Sequence, residues 1–352
     1  MLDDLNLISK IDKTNMLDAV AGFPEQIKEA KEIVEHTHIP IILKIDNIII
    51  SGMGASAISG DIVQTLFRDK IDIPIYVNRQ YNLPKWANKD TLVLSQSYSG
   101  NTEETLSTFK HAYQKHCKII GISSGGKLQE LCERRELPHI KIPAGIQPRA
   151  ATGYILFSSI FLLKKIGVLT DDIESEINET IIVTEEFRNQ NKKDIPKTSN
   201  ISKQYAEKIF DKTPQVYGWG IYTPIARRWC TQFNENSKIV CRWDEIPECN
   251  HNDIVGWSMN PEVTKNFICI LFRDSENETI YMSKRIDFMK KLFEDVAGGV
   301  IEVQVKGKKR LAKMMYAMYL GDFISCYLGI LRNVDPTPVD AITELKNELA
   351  KI

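Results

Sequence analysis

What most constrains this chain is a repeated alternation of short β-branched apolar runs with helical patterns. Residues 47–51 (NIIIS), 73–77, 91–95 and 118–122 are runs of the first kind, and helical patterns occupy 57–67, 102–116 and 127–134. Strands that are apolar throughout must be covered on both faces, and the intervening helices supply the cover. The expectation is therefore a parallel sheet with helices on either side. Residues 151–166 close this half as a largely apolar helix suited to a core. Its apolar stretch from Tyr154 to Leu163 is broken by Ser158 and Ser159. That is well short of the roughly 20 residues a membrane span requires.

The alternation restarts after a polar stretch at 188–199 (RNQNKKDIPKTS) that contains Pro196. Strands are expected at 215–218, 238–242, 267–272 and 300–305, with helices at 222–234, 280–293 and 310–331. The punctuating DPTP at 335–338 precedes a last amphipathic helix carrying Val339, Ile342, Leu345 and Leu349. A chain of 352 residues is too long for one ordinary core. We therefore divide it into domains at 1–190 and 191–352. The entries IIISGMGASAISGD and VYGWGIYTPIA echo each other, as two copies of one α/β unit would.

Composition narrows the partners. With 45 Lys+Arg against 46 Asp+Glu the net charge is -1, so no global field draws the chain to nucleic acid or an anionic membrane. The first ten residues are acidic where a secretion signal is basic. Seven cysteines are scattered without a C-x-x-C spacing, which fits a reducing cytoplasm and offers neither a disulfide framework nor a zinc site.

Two loops carry chemistry. Gly52-Met53-Gly54-Ala55-Ser56-Ala57 lies between a strand and a helix and fits G-x-G-x-x-A, a dinucleotide fingerprint. An NAD enzyme should place an acid at the end of the next strand, yet Asn78-Arg79 stands there, and Arg79 would suit only the 2′-phosphate of NADP. The second loop, Ser97-Tyr98-Ser99-Gly100-Asn101-Thr102, follows a strand, and Asn101 with Glu104 resembles a capping box. Ser56, Ser97, Ser99 and Thr102 would then converge at the carboxyl edge of a parallel sheet, a setting for a terminal phosphate monoester. Serine and threonine also serve simply as helix caps, so the loop alone leaves both readings open.

SGMGASAISGD and SYSGNTEETL resemble the two sugar-phosphate loops of the SIS (sugar isomerase) domain. PRAATGY at 148–154, NENSK at 234–238, PECNHN at 247–252 and DPTPVDAITELK near the end narrow the resemblance. Together they look like the bifunctional phosphoglucose/phosphomannose isomerases, in order from about residue 16 onward. The resemblance implies two tandem SIS domains, each a parallel β-sheet flanked by α-helices, with a C-terminal helical tail. It also implies interconversion of glucose 6-phosphate and fructose 6-phosphate, and of mannose 6-phosphate as well. By the family's pattern Gly54, Ser56, Ser97, Ser99 and Thr102 bind the phosphate. Glu235 matches the base, Arg149 the cation beside the enediolate, His251 the ring-opening residue and Lys346 its partner. The loop bearing His251 would reach a neighbouring subunit, which implies a homodimer. Ala55 departs from the family's second glycine, and its methyl group would crowd the phosphate.

The chemistry is consistent with those residue types. One carboxylate can carry a proton between adjacent carbons through a cis-enediol(ate) if it is shielded from water. Arginine cannot be deprotonated and so suits the developing negative charge. Histidine can relay a proton to the ring oxygen near neutrality. Lys346 borders the apolar stripe of the last helix, where a snorkelling surface lysine is equally at home. Mannose 6-phosphate further requires rotation about C2–C3 against a polar wall, for which Thr337 and Thr343 are both candidates. The route needs no metal and no cofactor. The competing readings are a non-catalytic SIS sensor of sugar phosphate and, third, an NADP oxidoreductase.

Overall fold

The computed structural model describes residues 1–170, 172–258, 261–349 and 351. Three helices open the chain: α1 (Leu5–Ile11), α2 (Met16–Ala21) and α3 (Phe23–His36). The first sheet unit follows as β1 (Asn47–Ser51), α4 (Gly54–Phe67), β2 (Ile75–Asn78), β3 (Thr91–Gln96), α5 (Glu103–Gln114) and β4 (Lys118–Ser123). It ends with α6 (Gly126–Arg134), β5 (His139–Lys141), α7 (Thr152–Lys165) and α8 (Ile173–Asn191). The second runs α9 (Ile201–Ile209), β6 (Thr213–Trp219), α10 (Thr223–Asn236), β7 (Arg242–Ile246), α11 (Asp253–Trp257) and α12 (Pro261–Thr264). It continues through β8 (Phe267–Arg273), α13 (Ile280–Val296), β9 (Val300–Gln304), α14 (Arg310–Leu331) and α15 (Asp340–Leu349).

Both sheets are parallel throughout, in the orders β2-β1-β3-β4-β5 and β7-β6-β8-β9. The shorter order repeats the first four positions of the longer one, which agrees with two copies of one unit. Each sheet reverses its direction of growth beside its first strand, and that crevice is where open parallel sheets bind ligands. The apolar runs explain the layering. Ile48 and Ile50 join the main core, while Ile49 faces the other way with Val93, Ile119, Phe109 and Leu128. A strand so divided is buried on both sides.

The halves share a core, and α14 runs through it. Its faces pack on α8, α9 and α10, and one apolar cluster extends from the N-terminal helices into the second sheet. By length and composition α14 would cross a membrane, but 94% of its most apolar window is buried inside the protein. It is a core helix.

One expectation needs correction, and two elements are additional to those expected. The strand expected at 238–242 is β7, displaced to Arg242–Ile246. Lys238 adopts a left-handed conformation (φ 52°), Cys241 donates its backbone N–H to Asn234 Oδ1, and Cys230 Sγ donates to the Cys241 carbonyl. The segment is therefore folded back on the end of α10 before the strand begins. Neither the three-residue edge strand β5 nor the 19-residue α8 is revealed by the alternation. The polar stretch at 188–199 is tightly bonded: Asn191 Oδ1 accepts from the backbone and hydroxyl of Ser202, and Asn200 donates to the Asn191 carbonyl.

Candidate active site

The two loops expected to hold phosphate lie at the carboxyl ends of β1 and β3, the neighbours at the first sheet's switch point. Gly54 has φ 52° with no atom near the position of a side chain, so its requirement is conformational. At Gly52 the cause is contact: a Cβ would meet Ser56 Cβ at 2.9 Å and the Gln96 carbonyl oxygen at 3.0 Å. The two loops therefore touch. Ser56 is buried, and its hydroxyl has no partner among the described residues.

Within the second loop the Ser97 and Thr102 hydroxyls are 2.8 Å apart, and the Thr102 N–H points at Ser97 Oγ from 3.4 Å. Ser99 Oγ accepts from the Asn101 N–H at 3.3 Å. The expected capping box is not formed. Thr102 is the N-cap of α5 and makes no side-chain cap bond. Asn101 instead bridges to the next loop, its Oδ1 accepting from the Lys127 N–H and its Nδ2 donating to the Ser99 carbonyl. Neither α4 nor α5 has a side-chain cap, which leaves first-turn N–H groups free for an anion.

A third loop after β4, Ser123-Ser124-Gly125-Gly126, was not singled out from the sequence. It is the floor of the second. Ser124 donates from both N–H and Oγ to the Tyr98 carbonyl, and a Cβ on Gly100 would lie 1.8 Å from the Gly125 oxygen. The pair of glycines in SSGG was the available signal. His139, on β5, holds this floor from beneath. Ser123 Oγ spends its proton on the Gly125 carbonyl, so His139 Nε2, 2.8 Å away, is the donor to that oxygen. Burial depresses the His139 pKa from 6.5 to about 4.

Arg149 and Glu235 meet although they are far apart in sequence. Arg149 stands on a short 3-10 turn, Pro148–Ala150, and is 3% exposed. Glu235 lies in the last turn of α10, a position the sequence placed just beyond the helix. Arg149 Nη1 is 3.5 Å from Glu235 Oε2, and the carboxylate remains partly open on its other side. Burial pulls the Arg149 guanidinium below the usual arginine range, opposed by Glu235, without removing its charge. Arg149 Nη2 also donates to the carbonyls of Pro336 and Thr337, at 2.6 and 2.8 Å. The DPTP punctuation is therefore part of the site. Lys238, to which the sequence reading gave no role, donates to the Glu235 and Pro336 carbonyls at 2.6 and 2.9 Å. Desolvation, then Arg149, lowers its pKa.

The remaining candidates are not gathered. His251 is exposed on a 3-10 turn after β7, with no hydrogen bond to Arg149 or Glu235 among the described residues. Lys346 is exposed on α15, which buries none of its described residues. Of the two threonines, Thr337 is buried beside Arg149, its hydroxyl bonded to Thr14, whereas Thr343 is exposed and donates to the Val339 carbonyl just before its helix. Arg79 is occupied by an ion pair with Asp61, which removes the cation that favoured NADP. A cavity of about 790 Å³ opens at the far end of α4, between Arg68, Arg227 and Trp243, and holds none of these candidates.

The fold is that of a tandem SIS protein, with hydroxyl loops at one switch point and a guanidinium–carboxylate pair where the two halves meet. Comparison with known proteins agrees. Residues 198–349 match the family described as the bacterial phospho-glucose isomerase C-terminal SIS domain. The bifunctional phosphoglucose/phosphomannose isomerase of Caldicellulosiruptor bescii is 40% identical over 339 residues, 96% of this chain and 99% of that protein. Its namesake in Aquifex aeolicus is 35% identical over 307 residues, 86% of this chain and 90% of that protein. Among solved structures, a hypothetical protein of Thermus thermophilus shares the fold at 12% identity, with a TM-score of 0.76 over 98% of this chain and 92% of that one. This chain belongs to the bifunctional phosphoglucose/phosphomannose isomerase family.

Proposed function

We propose that this protein interconverts glucose 6-phosphate, fructose 6-phosphate and mannose 6-phosphate, as the names of its relatives describe. The observation that carries the reading is the Arg149–Glu235 pair, a buried permanent cation beside a partly open carboxylate. The terminal phosphate is held by Gly54, Ser56, Ser97, Ser99 and Thr102 and by the open helix N-termini. Glu235 removes the proton from C2 and returns it to C1. Arg149 stabilises the enediolate formed between those steps. Rotation of the open chain about C2–C3 then presents the other face of C2 and yields the mannose epimer. Thr337, beside the guanidinium, is the better placed of the two wall candidates.

Ring opening needs a proton relay, and among the described residues no histidine of the same chain bonds to Arg149 or Glu235. Assembly as a homodimer supplies it, with His251 reaching the neighbour's site. The apolar residues Ile342, Leu345 and Leu349, all exposed on α15, favour a covering partner. A cytoplasmic location and a division near residue 190 complete the reading.

The test is incubation of the purified protein with glucose 6-phosphate or mannose 6-phosphate, following fructose 6-phosphate by NMR. We expect turnover that falls by about 1,000-fold in Glu235→Gln, in line with loss of a general base. Sugar-phosphate binding without turnover above that variant would instead indicate a sensor.

A further inference from the structure

A guanidinium offers five N–H donors, and how they are spent decides what Arg149 can do. Its Nε donates to Asn236 Oδ1 at 2.6 Å, and Nη2 donates to the two carbonyls of Pro336 and Thr337. Those acceptors are all neutral. They fix the plane of the group without cancelling its charge, and they leave Nη1 facing Glu235.

Asn236 is itself held. It is fully buried at the end of α10, and its Nδ2 lies 2.9 Å from Ser325 Oγ on α14. The Ser325 hydroxyl donates its one proton to the Asp322 carbonyl, so it can only accept from Asn236. That sets the amide with Oδ1 toward Arg149. A second anchor fixes the backbone: Arg228 donates to the Arg149 carbonyl at 2.7 Å while paired in two bonds with Asp322, which also accepts from Gln232. Arg228, Asp322, Gln232 and Ser325 are all buried.

We propose that Asn236 is a positioning residue for the isomerisation. It directs Nη1 of Arg149 toward Glu235 and the reacting carbons and, being neutral, adds no second carboxylate to the one that Glu235 already places beside the guanidinium. This rests on the role given to Arg149 above. Aspartate at 236 would keep an acceptor toward Arg149, with the Ser325 hydroxyl turning its proton from the Asp322 carbonyl to the second oxygen. It would, however, add a second carboxylate to the guanidinium in the ground state, so the stabilisation specific to the enediolate would shrink.

Asn236→Asp is the decisive variant, measured by kcat, KM and the affinities of two inhibitors. Sorbitol 6-phosphate reads the phosphate loops, and 5-phosphoarabinonate, a carboxylate, mimics the enediolate. We expect a kcat lower by about 100-fold and a parallel loss of arabinonate affinity. KM and sorbitol 6-phosphate affinity should stay within about threefold. Unchanged kcat, or equal losses for both inhibitors, overturns the proposal. If Asn236→Asp does not fold, Ser325→Ala decides, because it frees the amide without touching Arg149. A kcat lower by about 10-fold with sorbitol 6-phosphate affinity intact is expected there, and wild-type kcat overturns the proposal. Arg149→Lys separates the two claims. Loss of kcat in that variant alone sinks the role of Asn236, whereas full kcat in it sinks the role assigned to Arg149.

Discussion

At the scale of residues, the hydroxyls of the phosphate loops are not equivalent. The Ser56 hydroxyl has no partner among the described residues, whereas Ser97 Oγ is bonded to both the hydroxyl and the backbone N–H of Thr102. Ser56→Ala should therefore raise KM by about 10-fold or more, the loss of one hydrogen bond to a charged group, and leave the thermal midpoint unchanged. Ser97→Ala should raise KM and lower the midpoint as well. Equal midpoints in a melting experiment would contradict this division. The residues we propose to hold the phosphate could be named from the sequence because they sit in contiguous loops with fixed strand–turn–helix context. Arg149 and Glu235 were named only through resemblance, since 86 positions separate them and nothing local shows that they meet. Asn236 and Lys238 lay inside a quoted motif, but their roles depend on α14 and on residues 336–337, which no local pattern connects to them.

At the scale of elements, long strands and helices were readable because periodicity reports burial directly, as the agreement at β1 and α14 illustrates. Short or displaced elements were not. β5 has only three residues, and β7 is moved by a turn whose shape is set by contacts to Asn234 and Cys230. The floor of the phosphate site supplies a pH prediction. Because the folded-state pKa of His139 is depressed from 6.5 to about 4, the unfolded chain takes up the proton first as pH falls. The His139 contribution to stability is whole above 6.5, declines from there to about 4, and then levels off. Denaturant titrations across that window should show a steeper fall for the native protein than for His139→Gln. Parallel curves would rule the effect out.

At the scale of the molecule, the open side of Glu235 and the stranded positions of His251 and Lys346 make the single chain an incomplete catalyst in our reading. Complementation tests this. Glu235→Gln and His251→Ala chains, each inactive alone, should regain activity when unfolded together and refolded. Every mixed dimer would hold one intact site and one doubly altered site, giving about a quarter of native activity under random pairing. No recovery, with mixed dimers demonstrated by mass spectrometry, would place His251 in the same chain as its Glu235. The two parallel sheets were legible from the repeated alternation, whereas their strand orders and the shared core between them were not. Each half reads as self-sufficient until α14 is placed.

That placement bears on how the protein is made. Residues 310–331 leave the ribosome after α8, α9 and α10, whose apolar faces they cover. Until then the growing chain must carry an uncovered groove. The helix that fills it, once exposed, has the composition of a segment that insertion machinery accepts. Chains interrupted just before residue 310 would leave that groove open, and an α14 that docks slowly would itself stay exposed. The buried helix that joins the two halves thus also makes its own emergence the step at which the groove between them closes.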